Sequence, residues 1–356
     1  MIRVLGLALY GPLAASTRHR LLQYQDGLRA RGIELEVVPL LGDRYLQRRF
    51  EGGRLPLGEM LGAACGRLRE LRTGGHDLAI VHCELFPLMP GLVERSLLAR
   101  KPYIYDFDDA FYLKYRGGRF KPLSPFLGGK FEAVMSGAAA IAAGNAELQR
   151  HAEACNRHVV RLPTVVDAER YRVAMRKRVA GEPFTVGWIG SPSTAPYLQS
   201  LAAPLATLGR EGPVRLVVVG GKAPSIEGIE VVGHAWREST EIALIGGFDV
   251  GVMPQPDTPW TRGKCAFKLI QYMACGVPVV GSRVGANVDV VGPDSGFLVD
   301  SDAGWLAALR VLRDDQAMAE SMGAAGRARI EAEYSLARNL PVLAKLIESV
   351  AGGDAH

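Results

Sequence analysis

The chain has no apolar run approaching the ~20 residues that a membrane-spanning helix needs, so its 48% hydrophobic content is read as soluble core. Its five cysteines, Cys65, Cys83, Cys155, Cys265 and Cys275, are odd in number and show neither a CxxC pair nor another metal-ligand spacing. They are expected to be reduced cytosolic thiols. A net charge of +5 is small for a nucleic-acid binder, and no basic patch is interleaved with aromatics. No nucleic-acid partner is expected, although the excess charge favours anionic substrates. No GxGxxG is present, which removes the dinucleotide fingerprint. The start of the chain also lacks a convincing secretory signal. Arg3 precedes only seven apolar residues, Val4 to Tyr10, which read better as a first buried strand running into Gly11-Pro12.

What is present is an alternation of strands and helices over 356 residues, enough for two domains with a core each. In the first series, strand Val4–Tyr10 leads to a helix over Arg18–Arg31 and strand Glu34–Leu40. The basic stretch Gly42–Gly58 is expected to be a loop or short helix. Helix Glu59–Arg72 and strands Leu78–His82, Pro102–Phe107, Ala138–Ala143 and Val159–Leu162 follow. The arginine-rich run Ala168–Pro183 reads as a linker. A second series starts at Phe184, with strands at Thr185–Ile189, Arg215–Val219, Ile229–Val232 and Asp249–Met253, and closes in helices over Asp302–Arg313, Gln316–Tyr334 and Leu340–Val350. The expected fold class is α/β, with two doubly wound parallel sheets.

Residues 260–287 carry the most information about chemistry. Phe267, Ile270, Met273 and Ala274 have helical spacing, Gly276 stops the helix, and Pro278 opens a β-branched run to Ser282. Ahead of this helix lies Thr261-Arg262-Gly263-Lys264, a basic glycine loop feeding a helix N-terminus. Free N–H groups and the helix dipole favour an anion there, and Arg262, Lys264 and Lys268 add charge. That combination suggests phosphate, and more than one.

Two further stretches stand at the ends of expected strands. In Tyr105-Asp106-Phe107-Asp108-Asp109, Asp106 and Asp108 share a face if the strand continues, as a general base requires. The alternative is a cap, with Asp108 or Asp109 starting a helix near Ala110. Asp106-Phe-Asp108 also matches DxD as a string, without a metal-site context. In Gly190-Ser191-Pro192-Ser193-Thr194, hydroxyls and N–H groups offer a phosphate cradle, or a plain capped turn. Arginines of the first third, Arg18, Arg20, Arg29, Arg31, Arg44, Arg48, Arg49 and Arg54, form either a solvated face or a contact with an anionic membrane.

Lys268-Leu-Ile-Gln-Tyr-Met-Ala-Cys-Gly-Val-Pro-Val-Val-Gly-Ser resembles the nucleotide-sugar segment of the retaining GT-B glycosyltransferases of family 4. The likeness is strong from Phe248 to Gly296 and weak in the first domain. Gln271 stands where the family has a ribose-binding glutamate, and Gly263 stands at its upstream acid. Asp257, the nearest acid upstream of the helix, is the candidate replacement. The resemblance implies an acceptor-side domain over 1–167, a linker over 168–183, a donor domain over 184–335, and a terminal helix, 336–356, crossing back onto the first domain.

It further places Gly190, Ser191 and Ser193 at the donor diphosphate, His234 and Trp236 near the base, and Ser16, Arg18 and His19 on the acceptor side, with a helix cap by Ser16 and a core place for Trp236 as the alternatives. The implied activity is glycosyl transfer from a nucleoside-diphosphate sugar to a glycan, lipid-linked or small-molecule acceptor, with retention. No metal or other cofactor is expected, because helix N–H groups and cations can hold the departing diphosphate. The implied location is cytoplasmic, with peripheral contact at the inner membrane face. A nucleotide-sugar epimerase, or a non-catalytic binding subunit, remains the alternative.

Overall fold

The computed structural model describes residues 1–50, 53, 57–171, 178–179 and 181–353. It divides into two compact units, the first made of Met1–Val165, Gly263–Cys265 and the segment from Leu336, the second of Val166–Arg262 and Ala266–Ser335.

The first unit is built on six strands: β1 (Ile2–Tyr10), β2 (Ile33–Leu41), β3 (Leu78–His82), β4 (Tyr103–Phe107), β5 (Ala140–Ala143) and β6 (Val159–Arg161). They pair in the order β2-β1-β3-β4-β5-β6, all parallel. β3, β4 and β5 are buried at every residue, as expected of parallel strands covered on both faces. The order reverses at β1, so the loops after β1 and β3 diverge there and leave a crevice at the carboxyl edge. Leu343, Ala344, Ile347 and Val350 of the helix Leu336–Gly352 join the core with Val4, Leu28, Leu78 and Ile104.

The second unit has strands β7 (Phe184–Ile189), β8 (Val214–Val219), β9 (Glu230–His234), β10 (Val250–Met253), β11 (Val279–Ser282) and β12 (Gly296–Val299). Their order, β9-β8-β7-β10-β11-β12, is again parallel, and its switch point lies between β7 and β10.

Several expectations change. The helix Arg18–Arg31 is broken into Ala15–Arg20, a 3-10 turn Leu22–Tyr24 and Gln25–Arg29. The break falls at Leu21 (φ −126°, ψ −62°), beside which the Gln23 amide donates to the carbonyls of His19 (2.5 Å) and Val165 (3.0 Å). The stretch Gly42–Gly58 contains a helix, Asp43–Phe50, while 51, 52 and 54–56 lie outside the described residues. The linker does not begin at Ala168, because Ala168 and Tyr171 are buried and Tyr171 belongs to the second unit's core. Residues 172–177 and 180 of that stretch lie outside the described residues.

Candidate functional site

In the second unit the site is set by the helix Phe267–Ala274, which is buried from Leu269 through Ala274. The one-sided helix read from the spacing is thus covered nearly all round. A Schellman end closes it: Gly276 N–H donates to Met273 O (2.9 Å) and Val277 N–H to Tyr272 O (3.0 Å), with Gly276 at φ 72°. Tyr272 fixes the helix to the sheet. Its phenol oxygen accepts from Ile189 N–H at the end of β7 (2.9 Å), and its ring covers Gly251 of β10, where a Cβ would fall 2.3 Å away. Lys268 lies one turn before Tyr272 on the same face, so docking Tyr272 carries Lys268 beyond the carboxyl end of β7.

There the Lys268 ammonium reaches Thr194 Oγ1 (3.4 Å) and stands 5.3 Å from the Trp188 ring. Its stem passes Gly190, where a Cβ would come within 2.6 Å of Cε. The Ser191 and Ser193 hydroxyls bond each other at 2.8 Å on the exposed side of this loop. No side chain caps the helix start, and Ala266, the residue before it, takes a left-handed φ of 52°. Such strain in a residue other than glycine is concentrated at functional sites. Gly220 packs on the Gly190 carbonyl and on Trp236, and its N–H donates to His234 O (2.9 Å). Gly190, Ser191, Ser193, Lys268, His234 and Trp236 are therefore gathered along the ends of β7, β8 and β9.

Other predicted donor residues are engaged elsewhere. Gln271 is buried and donates to the Tyr171 hydroxyl (2.9 Å), which donates to Glu241 (2.7 Å); Trp236 Nε1 donates to the other Glu241 oxygen (2.7 Å). Asp257 and Arg262 form an exposed two-point pair, 2.6 and 2.9 Å. Arg262 is thus already matched to a carboxylate, and its bonds hold the Asp257 carboxyl below its usual range.

Gly263 and Lys264 pack with the first unit. Asn145 donates to the carbonyls of Gly263 (2.9 Å) and Lys264 (3.0 Å), and Lys264 pairs with Asp109 at 3.1 Å. Of the three cations read as one cluster, only Lys268 stands at the second unit's switch-point loop. A Cβ at Gly263 would meet Ala110 Cβ at 2.6 Å and its nitrogen at 2.9 Å, which is why no acid stands at that position.

The first unit has its own polar centre at the carboxyl ends of β3 and β4. Arg20 is buried and grips Asp106 with two nitrogens, while Nη1 donates to Leu162 O (2.6 Å). His82 Nδ1 bonds Asp106 Oδ2 at 2.6 Å. Burial raises the Asp106 carboxyl, but Arg20 and the His82 bond outweigh it and bring its pKa down to about 2. The reading of Asp106 as a general base is corrected accordingly: a carboxylate held this firmly is a poor proton acceptor and serves to orient His82. Asp108 is half-buried, with Oδ1 3.9 Å from His82 Nε2 and 3.8 Å from Cys83 Sγ. The cap reading fails for Asp108 and Asp109, since the turn Phe111–Leu113 has no side-chain cap.

On the acceptor side, Ser16 makes no cap to the helix Ala15–Arg20. Arg18 folds back onto the carbonyls of Pro12 (2.7 Å) and Leu13 (3.0 Å), and His19 is buried. Arg20, counted with the surface arginines from sequence, is the functional neighbour that reading missed. Arg29 and Arg48 pair with Asp26 and Glu59, and the Arg49 side chain and Arg54 lie outside the described residues. The missed histidine, His82, was signalled only by its place at a strand's carboxyl end, in register with Asp106.

Residues 183–315 match the family model described as glycosyl transferases group 1. Over 99% of its length the chain superposes on all of a sucrose-phosphate synthase from Thermosynechococcus elongatus, with TM-score 0.72 and 14% identity. The Anabaena protein HepE, solved with UDP, gives TM-score 0.67 at 14% identity over 98% of this chain and 100% of that one. Among curated proteins, a Corynebacterium glutamicum GDP-mannose-dependent monoacylated alpha-(1-6)-phosphatidylinositol monomannoside mannosyltransferase is 43% identical over 68 residues, 18% of each chain. A Propionibacterium freudenreichii phosphatidyl-myo-inositol mannosyltransferase is 34% identical over 86 residues, 24% of this chain and 21% of that one. The matched stretches thus span about a fifth of those curated relatives. The fold is GT-B, and the stretch that matches the group 1 glycosyltransferase model lies in the second unit.

Proposed function

We propose that this chain transfers a glycosyl group from a nucleoside-diphosphate sugar to a hydroxyl acceptor. The observation that carries the reading is Lys268, on a helix start without a side-chain cap, held over the glycine and hydroxyl loop at the β7–β10 switch point. In that chemistry the anomeric C–O bond breaks and its electron pair leaves with the diphosphate. The Lys268 ammonium and the helix N–H groups stabilise the charge that develops, which is electrostatic catalysis by fixed donors. Such a scheme works without a metal, and the resemblance to family 4 supports retention.

The curated relatives are named for a phosphatidylinositol monomannoside and for phosphatidyl-myo-inositol, which supports a lipid-linked acceptor and a place at the cytoplasmic membrane face. The surface of the first unit agrees. The helix Gly91–Leu98, packed against Lys130–Met135, exposes Leu92 (68%), and the flanking segments expose Leu88 and Phe126 (78%) together with Arg116, Arg119 and Lys121. Apolar anchors among cations suit an anionic bilayer surface. Among the described residues no helix is long and apolar enough to cross a membrane.

The test is a thermal-shift panel of UDP, GDP, ADP, CDP and TDP, since a ligand that binds only the folded chain raises its melting temperature. One diphosphate should stand out, and its mannose and glucose conjugates then serve as donors in a transfer assay. A flat panel would remove the transferase reading.

A further inference from the structure

We propose that His82, Cys83 and Asp108 form a three-ligand site for a zinc-class divalent cation at the carboxyl edge of the first sheet. The three donor atoms lie within 4.8 Å of one another. Cys83 Sγ is 3.2 Å from His82 Nε2 and 3.8 Å from Asp108 Oδ1, and Nε2 is 3.9 Å from that oxygen. A tetrahedral ion with bonds of about 2.0–2.3 Å has ligand-to-ligand edges of about 3.3–3.8 Å. The two sulfur edges match to within a few tenths of an ångström, and the Nε2–Oδ1 edge, 3.9 Å, has to close by about half an ångström.

The surroundings are those of a built metal site. His82 gives its Nδ1 hydrogen to Asp106 (2.6 Å), which in the neutral ring leaves the Nε2 lone pair facing the triangle. Asp106 is in turn clamped by Arg20. A carboxylate behind a ligating histidine is the usual outer shell of a zinc ligand. Cys83 stands at a left-handed φ of 65°, pinned by Cys83 N–H to Asp106 O (2.8 Å) and by Tyr105 OH to Cys83 O (2.6 Å). That strained turn is what sets the thiol beside the imidazole.

Charge balance agrees. Arg20 and Asp106 cancel, and a Cys83 thiolate with the Asp108 carboxylate neutralises a dication. Binding releases the Cys83 proton to solvent. One sulfur and one imidazole ligand select zinc or cobalt over magnesium or calcium. Three protein ligands leave a fourth position, and since the Asp108 side chain is 15% exposed against 2% for His82, that position opens on the Asp108 side. Metal-free, the Cys83 thiol lies within hydrogen-bonding reach of both His82 Nε2 (3.2 Å) and Asp108 Oδ1 (3.8 Å). The inference stands apart from the glycosyl-transfer reading, which needs no metal.

The experiment uses the full chain, stripped with a chelator and titrated with Co2+, Zn2+ or Mg2+. Co2+ should bind at one equivalent with a thiolate-to-cobalt charge-transfer absorption, Zn2+ should displace it and raise the melting temperature, and Mg2+ should do neither. Cys83→Ser should abolish the absorption, while Cys65→Ser, at an exposed cysteine, should leave it intact. Asp108→Asn should keep the absorption and weaken Co2+ binding at least tenfold, which decides the matter even if Cys83→Ser does not fold. Binding below one equivalent, an absorption that survives Cys83→Ser, or a Co2+ affinity unchanged in Asp108→Asn overturns the proposal.

Discussion

Gly263 and Ala110 approach so closely that a Cβ on residue 263 would lie 2.9 Å from the Ala110 nitrogen. The neighbour is backbone, held by the bond from Leu113 N–H to Ala110 O (2.9 Å), and has no flexible end that could swing away. The glycine that replaces the upstream acid of the resembling family is therefore a packing requirement of this chain.

Restoring the acid should accordingly fail. Gly263→Glu forces the contact apart and buries a carboxylate, and overpacking of this kind costs about 1–3 kcal/mol. The melting temperature should fall by several degrees, with Gly263→Ala falling by less. A Gly263→Glu protein as stable as the parent would show that the approach to Ala110 relaxes freely.

Lys268→Ala should weaken nucleoside-diphosphate binding at least tenfold, because a hydrogen bond to a charged group contributes about 1.5–3 kcal/mol. Calorimetric titration with the diphosphate found in the thermal-shift panel measures it. Gly190→Ala should weaken binding as well, since its Cβ would strike Lys268 Cε at 2.6 Å and the Trp188 ring at 2.6 Å. Equal affinity in Lys268→Ala would take this lysine out of the donor site.

The two sheets and the helix at Phe267 were legible because parallel strands are continuous apolar runs and amphipathic helices keep a period near 3.6. Lys268 was legible for the same reason: its neighbours on both sides fix its helix turn. Long-range polar pairing was not. Arg20 finds Asp106 across 86 residues, and nothing local separates it from Arg18, which merely folds back on its own loop. The strained backbone at Cys83 and Ala266 was equally hidden, since sequence patterns place left-handed turns at glycine, and neither is one. Gln271, read from the resemblance as the ribose-binding residue, is instead closed over by Tyr171 and Glu241 of the second unit, a pairing that no local pattern signals.

That network decides what Gln271→Glu does. The Tyr171 hydroxyl has one hydrogen and gives it to Glu241, so it can accept from Gln271 but has nothing for a second carboxylate. The variant leaves a buried acceptor unmatched, or takes up a proton to recover the bond. A stability loss of about 1–3 kcal/mol is expected, recovered as the pH is lowered. Melting curves at two pH values check it, and a pH-independent loss would place the new carboxylate in solvent.

Glu94 supplies a pH dependence of the opposite kind to that of an ordinary ion pair. Lys130, fully buried, is shared between Glu84 (2.7 Å) and Glu94 (2.9 Å). Glu84 also holds Lys114 and the Tyr115 hydroxyl (2.6 Å), whereas Glu94, among the described residues, has in addition only the N–H of Phe86 (2.8 Å). Burial raises both carboxyls; Lys130 and Lys114 reverse this for Glu84, whose pKa falls, but for Glu94 burial prevails and the pKa rises to about 7. Between the unfolded value of 4.5 and about 7, the native protein therefore binds more protons at this site than the unfolded chain does. Stability must fall as the pH rises through that window and level off above it. Glu94→Gln keeps an acceptor for Phe86 and removes the titration, so the variant should lose less melting temperature than the parent between pH 5 and about 7.5. Parallel curves for the two proteins would mean that Lys130 keeps both carboxylates ionised.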